Sequence, residues 1–482
     1  MAKKHDGATM FKTFEQAYQY VQEQGIQSID LKFCDLWGRW HHLTTPASQF
    51  TPKLMERGFG FDGSSVGLKN VKAGDMIMVP DITSGFRDPF WDAPTLSFFC
   101  TTLDADTLET FANDPRNLAK NAENYLRSTG IATESRWGPE FEFYVFESAF
   151  YENKINSSGY TFNSETAEWN SATGGSGAYI PIHGGYHAAP PKDKFYNLRQ
   201  EITHQLISMG VPVKYHHHEV GSPGQLEIEI PMMGLVPAGD AIMLVKYTTK
   251  MVAAQHEKAV TFMPKPIYGE AGNGMHFHQH IFDQKKNLFY DADGYGHISQ
   301  TARYYIGGLL HHGAAVLALT NPSTNSYRRL VPGYEAPINA FYSLGNRSAA
   351  IRIPKYANQP DTARFEFRPP DATSNPYLAL AAQLMAGIDG IQHQMDATEL
   401  GFGPIDANVF SWTDEQRTAI KPLPTSLDAA LRALEEDHDF LLAGDVFSEE
   451  FIEDWIEHKL ETEYHPVHSR PHPYEMKLYF DV

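Results

Sequence analysis

The sequence predicts an α+β protein of two parts, a small N-terminal α+β unit and a large C-terminal one. Three observations carry this. A chain of 482 residues is long for a single core. After a first group of strands, Asn113-Asp114-Pro115 opens a new helix with Asp at the N-cap and Pro at the first helical position, which sets the boundary near Ala112 (residues 1–112 and 113–482). Beyond it, four segments alternate strictly between an apolar face and a face of Glu, His or Arg, as half-buried strands do.

Taken in order, Thr13 to Gln24 reads as a helix with a Thr-x-x-Gln cap and Gly25 as its stop. Ser28 to Phe33 is a strand, and Asp35 to Arg39 turns it into a second one through Trp40 and Leu43. Thr51-Pro52 begins a short helix that Gly58 ends, and Phe61 to Gly67 is a tight polar loop. Strands near Met76–Val79 and Leu96–Cys100 complete the first unit. In the second, the helix from Pro115 to Arg127 leads into the strand Gly138–Phe146. Residues 153–178, rich in Ser, Asn, Gly and Thr, predict a long mobile loop. Helices are expected over Asp193–Met209, Pro237–Thr261, Ser299–Leu319 and Asn375–Met395, with strands over His216–Ile230 and Met275–Phe282. Phe447, Phe451, Trp455, Ile456 and Leu460 make one helical stripe, read as core or subunit contact.

A formal net charge of −20 argues against nucleic acid or an anionic membrane as the main partner. Cys34 and Cys100 are the two cysteines, with no Cys-x-x-Cys, so neither a disulfide framework nor a thiolate zinc site is expected and a reducing cytoplasm fits. Met1 to Gly7 leads into a polar helix instead of an apolar signal core.

The chemistry lies in the alternating segments. In Glu140-Phe141-Glu142-Phe143 the two carboxylates share one face, and two like charges that close need a cation between them if that face meets a cavity. The pattern recurs at His216-His217-His218-Glu219, Glu227-Ile228-Glu229, Met275-His276-Phe277-His278 and Arg364-Phe365-Glu366-Phe367-Arg368. The candidate ligands Glu140, Glu142, Glu219, Glu227, His276 and Glu366 are oxygen-rich, which suits Mg²⁺ or Mn²⁺ better than Zn²⁺, and six exceed what one Mg²⁺ takes. Two metals are implied. From Arg328 to Arg368, six Arg and Lys355 face only Glu335, Asp361 and Glu366, a local +4 within an acidic chain. Arg329, Arg347, Arg352, Arg364 and Arg368 are therefore candidates to hold an anionic substrate beside metal-bound phosphates, the alternative being a structural ion-pair network. No P-loop or Gly-x-Gly-x-x-Gly is present, so metal and Arg would hold a nucleotide. Such parts fit phosphoryl transfer. Single histidines such as His187 carry no assignment.

Asp62-Gly63-Ser64-Ser65, Glu140-Phe141-Glu142, His216 to Glu219 with Glu227, Gly274 to His278, Arg329 to Pro337, Asn346-Arg347-Ser348 and Asn375-Pro376-Tyr377 together resemble type I glutamine synthetase, in order from about residue 13 to the C-terminus. The resemblance implies an N-terminal β-grasp domain, a catalytic domain built on a curved antiparallel sheet, and a dodecamer of two hexameric rings with sites between subunits. It implies ligation of ammonia to glutamate at the expense of ATP. By position, Glu142, Glu219 and Glu227 would hold one metal and Glu140, His276 and Glu366 the other. Arg329, Arg368 and Gly272 would bind glutamate, and His278, Arg352 and Arg364 would face ATP. Arg347 would steady the transferring phosphoryl group, Asp62 of a neighbouring subunit would take the ammonium proton, and Glu335 would lie on a closing loop.

Three positions depart from the pattern. Ala271-Gly272-Asn273 replaces Asn-Gly-Ser, so a contact to the substrate's amino-acid end is missing or comes from Asn273; this motivates a second reading, ligation of glutamate to a polyamine. Lys214 and His280 stand where Glu and Ser are common near the nucleotide. Phe410 replaces the tyrosine that carries adenylylation in many type I enzymes, which predicts no such control there. A third reading, a catalytically silent nitrogen-sensing homologue, conflicts with the intact set of charged residues on otherwise apolar strands.

Overall fold

The computed structural model describes residues 11–68, 74–334, 336–407, 409, 412–413 and 420–482. The expectations for Met1–Gly7, Glu335 and Phe410 lie outside the described residues.

Thr13 accepts from the Gln16 amide and caps the helix Phe14–Glu23, which Gly25 ends at φ +59°. Strands β1 (Ser28–Cys34), β2 (Trp40–Pro46), β3 (Phe59–Asp62), β4 (Asp75–Pro80), β5 (Phe86–Asp88) and β6 (Thr95–Asp104) form one sheet in the order β2-β1-β6-β4-β3, with β5 beside β6. Ile29, Leu31, Leu96 and Phe98 fill its core. Gly58, past the short helix Pro52–Arg57, must be glycine: its φ is +61° and a Cβ there would lie 2.0 Å from the Met78 carbonyl oxygen. The polar loop expected at Phe61–Gly67 is shorter, because Phe61 and Asp62 extend β3 and Gly63–Val66 makes one 3₁₀ turn.

After the helix Pro115–Ser128, capped by Asp114, the second unit is organised on β7 (Glu134–Phe146). Strands β8 (Ser148–Lys154) and β9 (Ser157–Asn163) form a separate hairpin. The larger sheet adds β10 (Tyr215–His218), β11 (Gln225–Glu229), β12 (Met233–Gly234), β13 (Ala259–Thr261), β14 (Met275–Asp283), β15 (Lys286–Asn287), β16 (Tyr342–Leu344), β17 (Ile351–Ile353) and β18 (Phe365–Phe367). Its order is β10-β11-β7-β14-β18-β17-β16, with β12 and β13 also on β7 and β15 on β14; apart from the parallel pair β16–β17 its pairings are antiparallel. Helices Leu235–Gln255 and Pro376–Gln392 carry long runs of buried residues, and the α+β class is borne out.

Several boundaries differ from expectation. The predicted loop 153–178 holds β9, which pairs with β8 across a tight turn, with Tyr151 opposite Tyr160 in register and Phe162 stacked on Phe146 at 4.6 Å. The helix expected to reach Thr261 stops at Gln255, where Glu257 takes φ +55° and the chain turns back as β13. The helix from Ser299 breaks into Gln300–His311 and Gly313–Thr320. The helix from Asn375 ends at Gln392, not Met395, and the one expected from Asp193 starts at Tyr196. In the C-terminal stripe, Phe451 and Trp455 are buried, and Trp455 stacks on Trp37 at 5.3 Å, so the stripe is core between the two units.

Polar contacts also join the units. Arg116 bridges Asp81 (2.9 Å) and Asp240 (2.8 Å). The Asn375 amide donates to the Asp35 and Leu36 carbonyls at 2.9 and 3.2 Å, beneath Gly38 at φ +79°.

The broken helix places His312 between Asp389 (3.0 Å) and Asp437 (2.9 Å). Burial opposes its charge, but hydrogen bonds to both carboxylates prevail and lift its pKa to about 9. A pKa raised above the unfolded value gives stability that is complete below about pH 6.5 and lost as pH rises through about 9. His312→Leu is therefore expected to be less stable than wild type at pH 7 by roughly 2 kcal/mol, with the difference shrinking toward pH 10, as urea midpoints across that range will show.

Candidate active site

Register brings the predicted ligands together. Between β11 and β7, Glu227 pairs with Glu142 and Glu229 with Glu140; between β14 and β7, His276 pairs with Glu140. On β18, Glu366 pairs with His278 on one side and Arg352 on the other. The opposite faces of these strands, Phe141, Phe143, Ile228, Phe277 and Phe367, are wholly buried in the core. One face is thus held by packing while the other lines a cavity of about 530 Å³.

Two clusters lie on that floor. His276 Nδ1 is 3.2 Å from Glu140 and 3.3 Å from Glu366. Burial pushes the Glu140 carboxyl upward, yet His278, at 2.8 Å, and His276 hold it well below the usual range. Glu366 accepts from Arg352 at 2.7 Å and Arg368 at 3.0 Å. The second cluster joins Glu219 and Glu227 with His217, whose Nε2 is 3.4 Å from Glu227, and Glu142 lies beside it, accepting from the Gly274 amide at 2.6 Å. Here burial, and then the neighbouring carboxylates, push Glu219 and Glu227 well above the usual range. Directly paired like charges destabilise a sheet. The Glu229 side of the array is relieved by Lys214 at 2.5 Å, while Glu142, Glu219 and Glu227 have no Lys or Arg ion pair among the described residues. That donor set fits a hard divalent cation, and the Glu140–His276–Glu366 group fits a second.

Arg329 lines the cavity, buried, donating to the carbonyls of Pro369 (2.6 Å) and Arg368 (3.1 Å) and to His276 at 3.2 Å. Gly272, Arg347, Arg352 and Arg368 line it too, with the Arg347 guanidinium 5.5 Å from the Tyr186 ring. Not every expected residue arrives. His278 is fully buried behind Glu140, Arg364 is buried away from the cavity wall, and Asp62 is exposed in the first unit, held by Ser64 and Ser65. Asn273, expected as a possible substrate contact, is turned inward, bonded to Gln225 and the Met263 carbonyl, while Ala271 faces the cavity. Buried His280 is tied to the Ala363 carbonyl and does not line the cavity either.

Sequence reasoning missed His217, Glu229, Tyr186, His187, Tyr215 and Tyr356. Glu229 had a signal, since it continues the alternation of its strand, whereas His217 stands in an unbroken run of histidines that gave none. Tyr186 and His187 stack at 4.3 Å in a segment without periodicity, and Tyr356 stands in the connection between β17 and β18.

Residues 25–105 match the family model for the glutamine synthetase beta-Grasp domain and residues 112–479 that for the glutamine synthetase catalytic domain. The chain is 45% identical over 478 residues to a glutamine synthetase of Frankia alni, covering 98% of this chain and 100% of that one. It is 44% identical over 479 residues to one of Mycobacterium tuberculosis, covering 98% and 99%. Among solved structures, a Plasmodium falciparum glutamine synthetase superimposes with a TM-score of 0.86 at 24% identity, over 97% of this chain and 99% of that chain, a likeness of fold. A GmaS/ADP complex superimposes with a TM-score of 0.79 at 27% identity, over 96% and 99%.

Proposed function

The chain belongs to the glutamine synthetase family, and from that premise we propose how its residues divide the ligation of ammonia to glutamate. It is an ATP-dependent glutamate–ammonia ligase. The observation that supports this division is the pair of clusters on one strand floor, walled by Arg329, Arg347, Arg352 and Arg368.

In the first step the glutamate γ-carboxylate attacks the γ-phosphorus of ATP and ADP leaves; in the second, ammonia attacks the resulting acyl phosphate and inorganic phosphate leaves. Glu142, Glu219 and Glu227 would hold one divalent ion and Glu140, His276 and Glu366 another, Mg²⁺ or Mn²⁺. When bound, such ions supply charge neutralisation for the phosphates. Arg329, Arg368 and the Gly272 backbone hold the glutamate carboxylates, and Arg347 faces the phosphoryl group in flight. Arg352, pinned on Glu366, reaches the nucleotide. His278 acts behind Glu140, keeping it ionised and oriented. Asp62 of a neighbouring subunit accepts the ammonium proton, and Glu335 is the residue expected to help exclude water during the second step. This division needs a homo-oligomer, for which two stacked hexameric rings are the proposed form. The two domains meet near Ala112. Two buried free cysteines favour the cytoplasm, and no described helix is long and apolar enough to cross a membrane.

Phosphate release from ATP, glutamate and Mg²⁺ is expected with ammonium and not with putrescine or spermidine. Chelation by EDTA should abolish it, and Mg²⁺ or Mn²⁺ should restore it. Turnover with polyamines alone would favour the second acceptor, for which Ala271 leaves room in the cavity wall; turnover with neither amine would end the ligase reading.

A further inference from the structure

The cavity wall at Ala271 and Gly272 belongs to an irregular segment, yet four successive carbonyls of that segment each accept from a side chain. His183 Nε2 donates to Gly269 at 2.6 Å, the Lys265 ammonium to Glu270, the Tyr144 hydroxyl to Ala271 at 2.6 Å and the Gln225 amide to Gly272 at 3.0 Å. Backbone outside helices and sheets must find such partners elsewhere, and here they fix its course. Tyr144 and Gln225 hold it from within the large sheet, both all but fully buried.

His183 and Lys265 have a second contact in common, Tyr334. The Lys265 ammonium lies 3.7 Å from the centre of the Tyr334 ring, and the His183 ring stands edge-on to it, with centroids 6.0 Å apart and planes at 82°. Tyr334 lines the cavity on the segment that follows Arg329. The Lys265 backbone is fixed to that side too. Its N–H donates to the Asn325 side-chain oxygen at 2.7 Å and its carbonyl accepts from the Asn325 amide at 3.1 Å, at the start of the turn Ser326–Arg329. Lys265 does not line the cavity, but it joins three parts that do: the Ala271–Gly272 wall, Tyr334 and the Arg329 turn.

We propose that Lys265 is a positioning residue that ties the glutamate wall to Tyr334, so that both sides of the substrate pocket are set together and the acyl phosphate formed between them meets ammonia and not water. The assignment rests on the ligase reading and adds to it a residue that touches neither substrate nor metal. An ammonium suits the place because it donates to a carbonyl and attracts an aromatic face at once. Where the tie is cut, water attacks the γ-carbonyl carbon of the acyl phosphate and the bond from that carbon to the phosphate oxygen breaks. Glutamate and inorganic phosphate leave, the proton of the water passes to solvent, and ATP is hydrolysed with no glutamine formed.

The test uses the full-length enzyme and the variants Lys265→Met, Lys265→Arg, Tyr334→Leu and the double variant Lys265→Met with Tyr334→Leu, with phosphate and glutamine measured in the same reaction. Wild type is expected to release them in equal amounts. Lys265→Met and Tyr334→Leu are each expected to release about three or more phosphates per glutamine and to raise KM for glutamate about tenfold, with KM for ATP within about twofold, and the double variant to be no worse than either. Lys265→Arg keeps the charge and is expected to fall closer to wild type in this ratio than Lys265→Met. Equal amounts from Lys265→Met, parallel rises in KM for glutamate and ATP, or losses that add in the double variant would each overturn the assignment. Wild-type protein that releases no phosphate from ATP with glutamate and ammonium would instead overturn the ligase reading. Lys265 is half-buried, so thermal midpoints accompany the assay. If Lys265→Met does not fold, Tyr334→Leu reads the same contact from the other side, and equal amounts of phosphate and glutamine from it are as decisive.

Discussion

Glu227→Gln is expected to lower kcat on the order of 1,000-fold while making the metal-free protein no less stable than wild type. The two effects have one cause. Glu227 lies opposite Glu142 in the sheet, and burial, followed by the Glu140 and Glu142 carboxylates, drives its carboxyl well above the usual range. A neutral amide of the same shape relieves that repulsion, so thermal midpoints in EDTA should stay level or rise. The same amide is a poor ligand for a hard cation, so bound divalent ion should fall from two per subunit to one. Elemental analysis, calorimetric Mn²⁺ titration and the phosphate-release assay read these quantities separately. Less than a tenfold loss of turnover, or an unchanged metal count, would remove Glu227 from the ligand set. Such a variant, stable yet inactive, follows the general conflict between site chemistry and stability.

Arg329→Lys is expected to fail in both respects. Its guanidinium spans the carbonyls of Pro369 and Arg368 and His276, and it is 5% exposed. An ammonium cannot reproduce that planar fork, so at least one buried carbonyl loses its donor, at about 1–3 kcal/mol. The carbonyls belong to the turn that follows the Arg368 strand, so their shift displaces Arg368 as well. kcat/KM for glutamate should fall about 100-fold or more, with KM for ATP changing far less, and the urea midpoint should drop. Near-normal glutamate kinetics in Arg329→Lys would mean that this residue only braces the turn.

Much of the candidate site was legible because strand alternation has a short, strict period. Glu140, Glu142, Glu227, His276 and Glu366 each announce a charged face by the apolar residues between them, and the structure puts those faces on one cavity. Pairing register was not legible. Nothing local says that Glu229 will face Glu140, or that Lys214 will answer it. Helix ends were misread where tertiary contacts decide them, as at His312, whose two aspartates come from distant helices. The hairpin β8–β9 was hidden by its polar composition. Which way Asn273 turns was not legible, because the side that a loop residue presents depends on the fold around it. The roles carried by the family resemblance for Asp62 and Glu335 concern a neighbouring subunit and a closing loop, which one chain's local pattern does not encode.

Strand β7 receives partners from four later parts of the chain, β11, β12, β13 and β14, and β14 in turn waits for β18. During synthesis the glutamates of β7 therefore emerge before the groups that complete their sites: Glu142 waits for Glu219 and Glu227, and Glu140 waits for His276 and, last, for Glu366. A nascent or truncated chain that lacks β18 would therefore hold the carboxylates of one cation group and leave the other without Glu366.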